Sequence, residues 1–282
     1  MILIDKTIPL DCDIILHGDT HNGQRAFDRK GLERMLKWVM AAKNRYYVHM
    51  GDENECILVD DNKRFNAEIA NISIPLQQAN DTIEIYRKSA KRCLVWLNGN
   101  HNDGLRRFGN LTRDVICRAL GIDYGTWACK LALNTQRGRI CKFFLMHGFR
   151  GVISSNAKDY EQQRANMMAS LKRKLVHKAC DCLVMACGHT HQLMVVPPAQ
   201  RLVMKDDGRR IKSVYMGAGD GTLDYIEPDR RWYVNTGSFM KIYELGADTY
   251  AEKHGYDPIE IGYAVVRIRK GRVDGVDRVV IN

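Results

Sequence analysis

Apolar positions along the chain follow two alternating rhythms, and the switches between them mark out the elements. Short unbroken runs, "CDIILH" (Cys12 to His17), "RYYVHM" (Arg45 to Met50), "RCLVWL" (Arg92 to Leu97) and "CLVMAC" (Cys182 to Cys187), read as buried strands. After the first of them, Asp28 is placed to cap a helix whose Leu32, Met35, Leu36, Val39 and Met40 recur on one face. A longer helical pattern runs from about Asn66 to Lys91, and Pro75 within it predicts a kink or break. Shorter helical patterns cover about Leu111 to Leu120 and about Tyr160 to Lys178. "TWACKLAL" and "RICKFFLM", joined by "NTQRG", predict a hairpin, and beyond His191 short strands are separated by "KDDGRR", "GAGDG" and "RKGR". With no repeat, low-complexity tract or convincing linker, the pattern predicts one two-layered α/β domain over 1–282, elaborated by inserts at 56–91 and 195–231.

Composition narrows the class. A chain of 282 residues that is 45% hydrophobic can build a large core. Met1 to Leu10 contains Asp5 and Lys6, and no stretch approaches the roughly 18 apolar residues of a membrane span, so the expectation is a cytoplasmic protein without a membrane segment. On that expectation the glycosylation-type triplets at Asn71, Asn80 and Asn110 are chance matches. The nine cysteines, scattered mostly inside apolar runs, read as reduced core thiols. Forty-three Lys and Arg against thirty-three Asp and Glu leave a net charge of +10, which biases the chain toward polyanionic partners. The basic clusters Leu171 to Lys178 and Arg267 to Arg272 fit a nucleic-acid surface and a solvated face equally well, and a homo-oligomer is compatible with everything so far.

Chemistry gathers where the apolar runs end. Asp19 and His21 follow the first run in "GDTH", Asp52 the second in "GDENE", and Asn100 and His101 the third in "NGNHND". His147 follows "KFFLM" in "HGFRG", and His189 and His191 follow "CLVMAC" in "GHTH". In open α/β sheets, sites form beyond the carboxyl ends of strands, so these groups should converge, and glycine beside each lets the backbone turn sharply.

Taken in order, Asp-x-His, Gly-Asp, Gly-Asn-His, a lone His-Gly and Gly-His-Thr-His closely resemble the calcineurin-like metallophosphoesterases. The resemblance covers residues 13 to 192, and extends to "NTGSF" (Asn235 to Phe239), which looks like the turn that often follows the last histidines. It implies a β-sandwich flanked by helices, an αββα arrangement with helical and β-hairpin inserts. It also implies that Asp19, His21 and His191 hold one divalent metal, that Asn100, His147 and His189 hold a second, and that Asp52 bridges them, with His101 beside them as the acid. Two cations neutralise a phosphoester, generate hydroxide at neutral pH and align it opposite the leaving oxygen. Mixed imidazole, carboxylate and amide donors suit Mn²⁺, Fe, Zn²⁺ or Ni²⁺, and Mn²⁺ is favoured because it is widespread among similar enzymes.

Other nearby residues divide more evenly. His17 and His49 read as structural or supporting, and Cys180, Cys182 and Cys187 lack paired Cys-x-x-Cys spacing and read as core. Arg106, Arg107 and Arg150 are placed either to reach a substrate phosphate or to form surface ion pairs. The phosphoprotein phosphatases of the superfamily extend their motifs to Gly-Asp-x-x-Asp-Arg-Gly and Gly-Asn-His-Glu, where this chain has "GDENECI" and "GNHND"; lipid A pathway hydrolases usually carry Arg where His101 stands. A basic surface and a retained histidine instead resemble the nuclease-like branch typified by SbcD. The leading expectation is a phosphodiesterase acting on nucleic acid, DNA first. The alternatives are a phosphomonoesterase or cyclic-nucleotide phosphodiesterase for small substrates, and a metal-bound scaffold without turnover.

Overall fold

A computed structural model of the chain describes residues 1–148, 151–152 and 157–281. Among these, two sheets lie face to face. The five-stranded sheet runs in the order β13 (Arg272–Val280), β12 (Gly262–Arg269), β2 (Cys12–His17), β3 (Arg45–His49), β4 (Cys93–Trp96). The six-stranded sheet runs in the order β1 (Ile2–Thr7), β5 (Ala128–Thr135), β6 (Gly138–Met146), β7 (Val184–Cys187), β11 (Trp232–Thr236), β8 (Leu193–Val196). Strands β2, β3 and β4 are parallel, as are β6, β7 and β11, so both sets end at the same kind of edge.

The unbroken apolar runs are explained by burial on both faces. Alternate residues of each strand point to opposite sides. Ile14 and Leu16 of β2 meet Phe143 and Leu145 of β6 and Val184 and Ala186 of β7 between the sheets. Ile15 turns outward to Leu32, Met35, Leu36 and Val39 of helix α1 (Arg29–Met40) and to Ala79, Ile83 and Tyr86 of α2 (Pro75–Arg87). Phe144 and Met185 turn outward on the other side to Leu171 and Leu175 of α5 (Tyr160–Leu175). The layers are helix, sheet, sheet, helix, the αββα sandwich expected.

Several details depart from expectation. Asp28 caps α1 through the Gly31 N–H at 3.0 Å, but Met40, the helix's last residue, is exposed and leaves the apolar stripe. Pro75 does not kink a long helix. It opens α2 at the first turn, where its missing N–H has no partner to lose, and the preceding segment is held as turns by Asn71 and Ile72 N–H groups donating to the Gly23 carbonyl. The expected helix at Leu111 begins as a π-helix, Leu111–Cys117, and ends in α4 (Arg118–Leu120), with the one-turn α3 (Asn100–Asp103) before it. Between β8 and β11 a separate ribbon, β9 (Arg201–Asp206) with β10 (Ile211–Met216), exposes Leu202, Met204, Ile211 and Tyr215, and α6 (Tyr250–His254) precedes β12. No helix among the described residues is long and apolar enough to cross a membrane.

Candidate metal centre

The loops leaving β2 and β3 are zipped together by backbone bonds: Asp19 N–H donates to Gly51 O at 2.9 Å, Thr20 and His21 N–H groups to Asp52 O at 3.0 and 3.1 Å, and Glu55 N–H to Asn22 O at 3.0 Å. This lattice holds unusual conformations. Asp19, His21, Asp52, His189 and His191 all adopt positive φ, between 46° and 72°, without being glycine. Such residues cost roughly 1–3 kcal/mol each and persist where the surroundings over-determine them, which is typical of functional sites. Glycine supplies the room between them: a Cβ on Gly99 would lie 2.0 Å from Asp52 Oδ1, and one on Gly51 would lie 2.8 Å from His147 Nδ1.

Side chains from both sheets then converge. Donor atoms of Asp19, His21 and His191 form one cluster and those of Asp52, His147 and His189 another, with donors within 4.8 Å of each other in each. In the first, His21 Nε2 faces His191 Nε2 at 3.1 Å, and Asp19 Oδ1, 3.7 Å from His191 Nε2, is buried without a hydrogen-bond partner. In the second, Asn100 Oδ1 lies 2.9 Å from His147 Nε2 and 2.7 Å from His189 Nδ1, while Asp52 Oδ2 is 3.1 Å from His147 Nε2. Asp19 ties the two ligand turns together by accepting the His189 N–H at 2.9 Å. The "NTGSF" segment braces them: the Ser238 hydroxyl donates to Asp19 O at 2.8 Å, and the Asn235 amide donates to the Thr190 hydroxyl inside "GHTH".

Two of the ligand rings are oriented from behind. His147 Nδ1 donates to the Met50 carbonyl at 2.9 Å, leaving Nε2 for the cluster, and His21 Nδ1 meets Glu55 Oε2 at 2.8 Å with the same result. Glu55 also lies 3.5 Å from His101 Nδ1 through Oε2, and its backbone oxygen accepts from that nitrogen at 2.8 Å. Glu55 is the residue that sequence reading passed over. Its signal was an acid three positions beyond Asp52, indistinguishable there from a surface carboxylate.

The electrostatics match this crowding. Burial by itself would push the proton off His21 and His147, but Glu55, Asp52 and Asp19 beside the former, and Asp52 and Asp19 beside the latter, raise both to about 9. Burial drives His189 down to about 4 and His191 well below its usual range, each helped by a neighbouring imidazole. Burial lifts Asp19 to about 6, whereas His147, His101 and His21 overcome burial to hold Asp52 well below the carboxylate range. Positive charge is thus favoured between the buried carboxylates Asp19 and Asp52. The donor set fits divalent cations well, because a cation would supply that charge while engaging the lone pairs that now face one another.

The remaining expectations separate. His17 and His49 are fully buried and structural: His17 packs among Tyr47, Tyr86 and Phe239, and His49 stacks on Trp96 at 4.0 Å. Cys182 and Cys187 are buried and Cys180 exposed, and none joins a donor cluster among the described residues. Arg106 is exposed and leans toward Asp103 at 3.9 Å, and Arg107 lies over the Phe108 ring, so neither touches the clusters; Arg150 lies outside the described residues. Of the basic cluster on α5, Lys172 pairs with Asp229, while the Lys174 ammonium stands 3.3 Å from where a Gly148 Cβ would be, beside the His147 turn.

The sequence profile described as calcineurin-like phosphoesterase matches residues 13–193. No curated protein matches the chain. Among solved structures, Vps29 of Chaetomium thermophilum is similar at 13% identity, covering 95% of this chain and 96% of that one with a TM-score of 0.37. AQ665 of Aquifex aeolicus, titled a protein of unknown function, is similar at 14% identity over 64% of this chain and 80% of that one, with a TM-score of 0.27. The profile match spans every loop that delivers a side chain to the two clusters, and by it the chain belongs to the calcineurin-like phosphoesterase family.

Proposed function

We propose that this chain is a phosphodiesterase that works with two divalent cations, Mn²⁺ foremost, and acts on nucleic acid, DNA first. The observation that carries the reading is the convergence of Asp19, His21, Asp52, Asn100, His147, His189 and His191 from two sheets, with lone pairs facing one another. Asp19, His21 and His191 would hold one cation, Asn100, His147 and His189 the other, and Asp52 would be shared. When bound, such a pair neutralises the phosphate and supplies a nucleophile at neutral pH.

The chain's own groups do the rest. The His101 N–H donates to Asp52 Oδ1 at 2.9 Å, so the turn that carries Asn100 and His101 is locked to the shared carboxylate. His101 anchors its Nδ1 on the Glu55 carbonyl, which leaves Nε2 as the nitrogen that gives a proton to the departing oxygen. Its side chain is 22% exposed, against 16% for His191 and 0% for His147, so a substrate can meet it. Lys174 adds positive charge on the opposite flank, where it also helps to lower His189. A net charge of +10 and the absence of the phosphoprotein-phosphatase extensions support a polyanionic diester over a phosphoprotein.

The test is Mn²⁺-dependent cleavage of labelled single- and double-stranded DNA and RNA beside a panel of small phosphoesters that includes bis-p-nitrophenyl phosphate. Metal-dependent cleavage of nucleic acid is expected. Turnover of small esters alone would move the chain to the small-substrate phosphoesterases, and metal binding with no hydrolysis would make it a scaffold.

A further inference from the structure

Of the chain's four tryptophans, Trp127 alone is exposed, at 38%, and it stands beside the metal centre. Its ring centroid lies 6.1 Å from that of His147, with the planes at 59°. The backbone fixes it there on two sides. The His147 N–H donates to the Trp127 carbonyl at 3.0 Å, and the Asn98 N–H, two residues before Asn100, donates to the Thr126 carbonyl at 2.9 Å. The indole thus sits on a segment bonded to two of the loops that feed the second donor cluster, those of Asn100 and His147.

The local backbone is also strained. Thr126 has φ of 59°, a conformation rare for a β-branched residue, and its hydroxyl donates to the Ala128 carbonyl at 3.0 Å. Strain of this kind is retained where it positions something useful. Here it turns the chain just before Trp127, at the entrance to β5. Leaving more than a third of this large residue exposed to water beside buried His147 gains nothing for packing. A planar ring at the edge of a phosphate-binding site does have a natural partner in the base attached to the scissile nucleotide, since every base offers a π-face.

We propose that Trp127 forms a stacking subsite for the nucleobase next to the scissile phosphate. The proposal rests on the nucleic-acid phosphodiesterase reading and deepens it by assigning the recognition of one substrate base to one side chain. The subsite selects for the presence of a base and is tolerant of its identity, because stacking reads the face of a ring and not its edge.

The experiment uses the full chain loaded with Mn²⁺ and two short single strands of equal length, one of thymidylates and one whose residues flanking the cut are abasic tetrahydrofuran. In the parent protein kcat/KM on the thymidylate strand should exceed that on the abasic strand by roughly 5- to 150-fold, the range stacking on one aromatic side chain supplies. Trp127→Ala should collapse that ratio toward one, and Trp127→Phe should restore most of it. Fluorescence anisotropy of both labelled strands without added metal measures the same ratio in binding, independently of cleavage. A base-dependent binding ratio lost in Trp127→Ala, in a protein that cleaves neither strand, would keep the subsite and sink the nuclease reading. A ratio unchanged in Trp127→Ala, by rate and by binding, would overturn the subsite. Should Trp127→Ala melt early, Trp127→Leu against Trp127→Phe makes the same comparison with the volume kept.

Discussion

The two sheets meet the centre with different chemistry. The five-stranded sheet delivers every oxygen donor, Asp19 and Asp52 as carboxylates and Asn100 as an amide, along with His21 and His101. The six-stranded sheet delivers imidazoles alone, His147 from β6 and His189 and His191 from β7. Each cluster draws on both sides, so the negative charge belongs to one layer, and the other contributes only imidazoles. A cation between them would join the layers at this end. The carboxylates face these imidazoles closely, Asp52 at 3.1 Å from His147 Nε2, and with Glu55 they push His147 and His21 up to about 9.

That contrast can be broken from its charged side first. Asp52→Asn keeps the shape but removes the shared charge, and should lower bound metal and cut hydrolysis by on the order of 10² to 10⁴, the several kcal/mol that a positioned cation pair supplies. Metal analysis beside the rate decides it; two metals and full activity in the variant would remove Asp52 from the shared position. His101→Asn should keep both metals and lose roughly 10² to 10⁴ on a DNA diester, whose alkoxide needs a proton, and far less on a p-nitrophenyl ester. Equal losses on the two substrates would mean that His101 positions phosphate.

Two smaller changes sharpen the comparison. Glu55→Gln weakens the support behind both His21 and His101, and should lower metal affinity or rate by about 10- to 100-fold. A rate and affinity equal to the parent's would mean that the Glu55 backbone carbonyl alone orients His101. On the imidazole side, Lys174→Ala should reduce the salt slope of DNA binding by about 1. Lys172→Ala should leave that slope alone, because its ammonium is spent on Asp229. Equal slopes in both variants would take α5 out of the substrate path.

How much of this was legible in the sequence follows from where each signal resides. Strands β2, β3 and β6 were readable because both faces are buried, so their apolar runs are continuous, and α1 was readable from its period and from Asp28. The strand-end motifs were readable because a turn at a parallel sheet edge demands glycine beside a polar group. Edge strand β1 was not, since its exposed Ile2 and Leu3 and its polar Asp5 and Lys6 resemble an unstructured lead-in. The segment before Pro75 has a helical local pattern yet forms turns, because its Asn71 and Ile72 N–H groups find the Gly23 carbonyl, a tertiary partner that no local pattern announces. Glu55, Trp127 and Lys174 share that character: each acquires its place beside a histidine only when distant loops are brought together.

On the proposed function, two cations join the acidic layer to the imidazole layer. Native mass spectrometry of metal-stripped protein titrated with Mn²⁺, with hydrolysis of bis-p-nitrophenyl phosphate followed on the same samples, tests it directly. The chain is expected to take up two ions, with hydrolysis rising with the doubly loaded species and Asp52→Asn failing to reach it. A chain that binds no more than one ion, or that fills both positions in the parent and in Asp52→Asn alike with no hydrolysis by either, would contradict it.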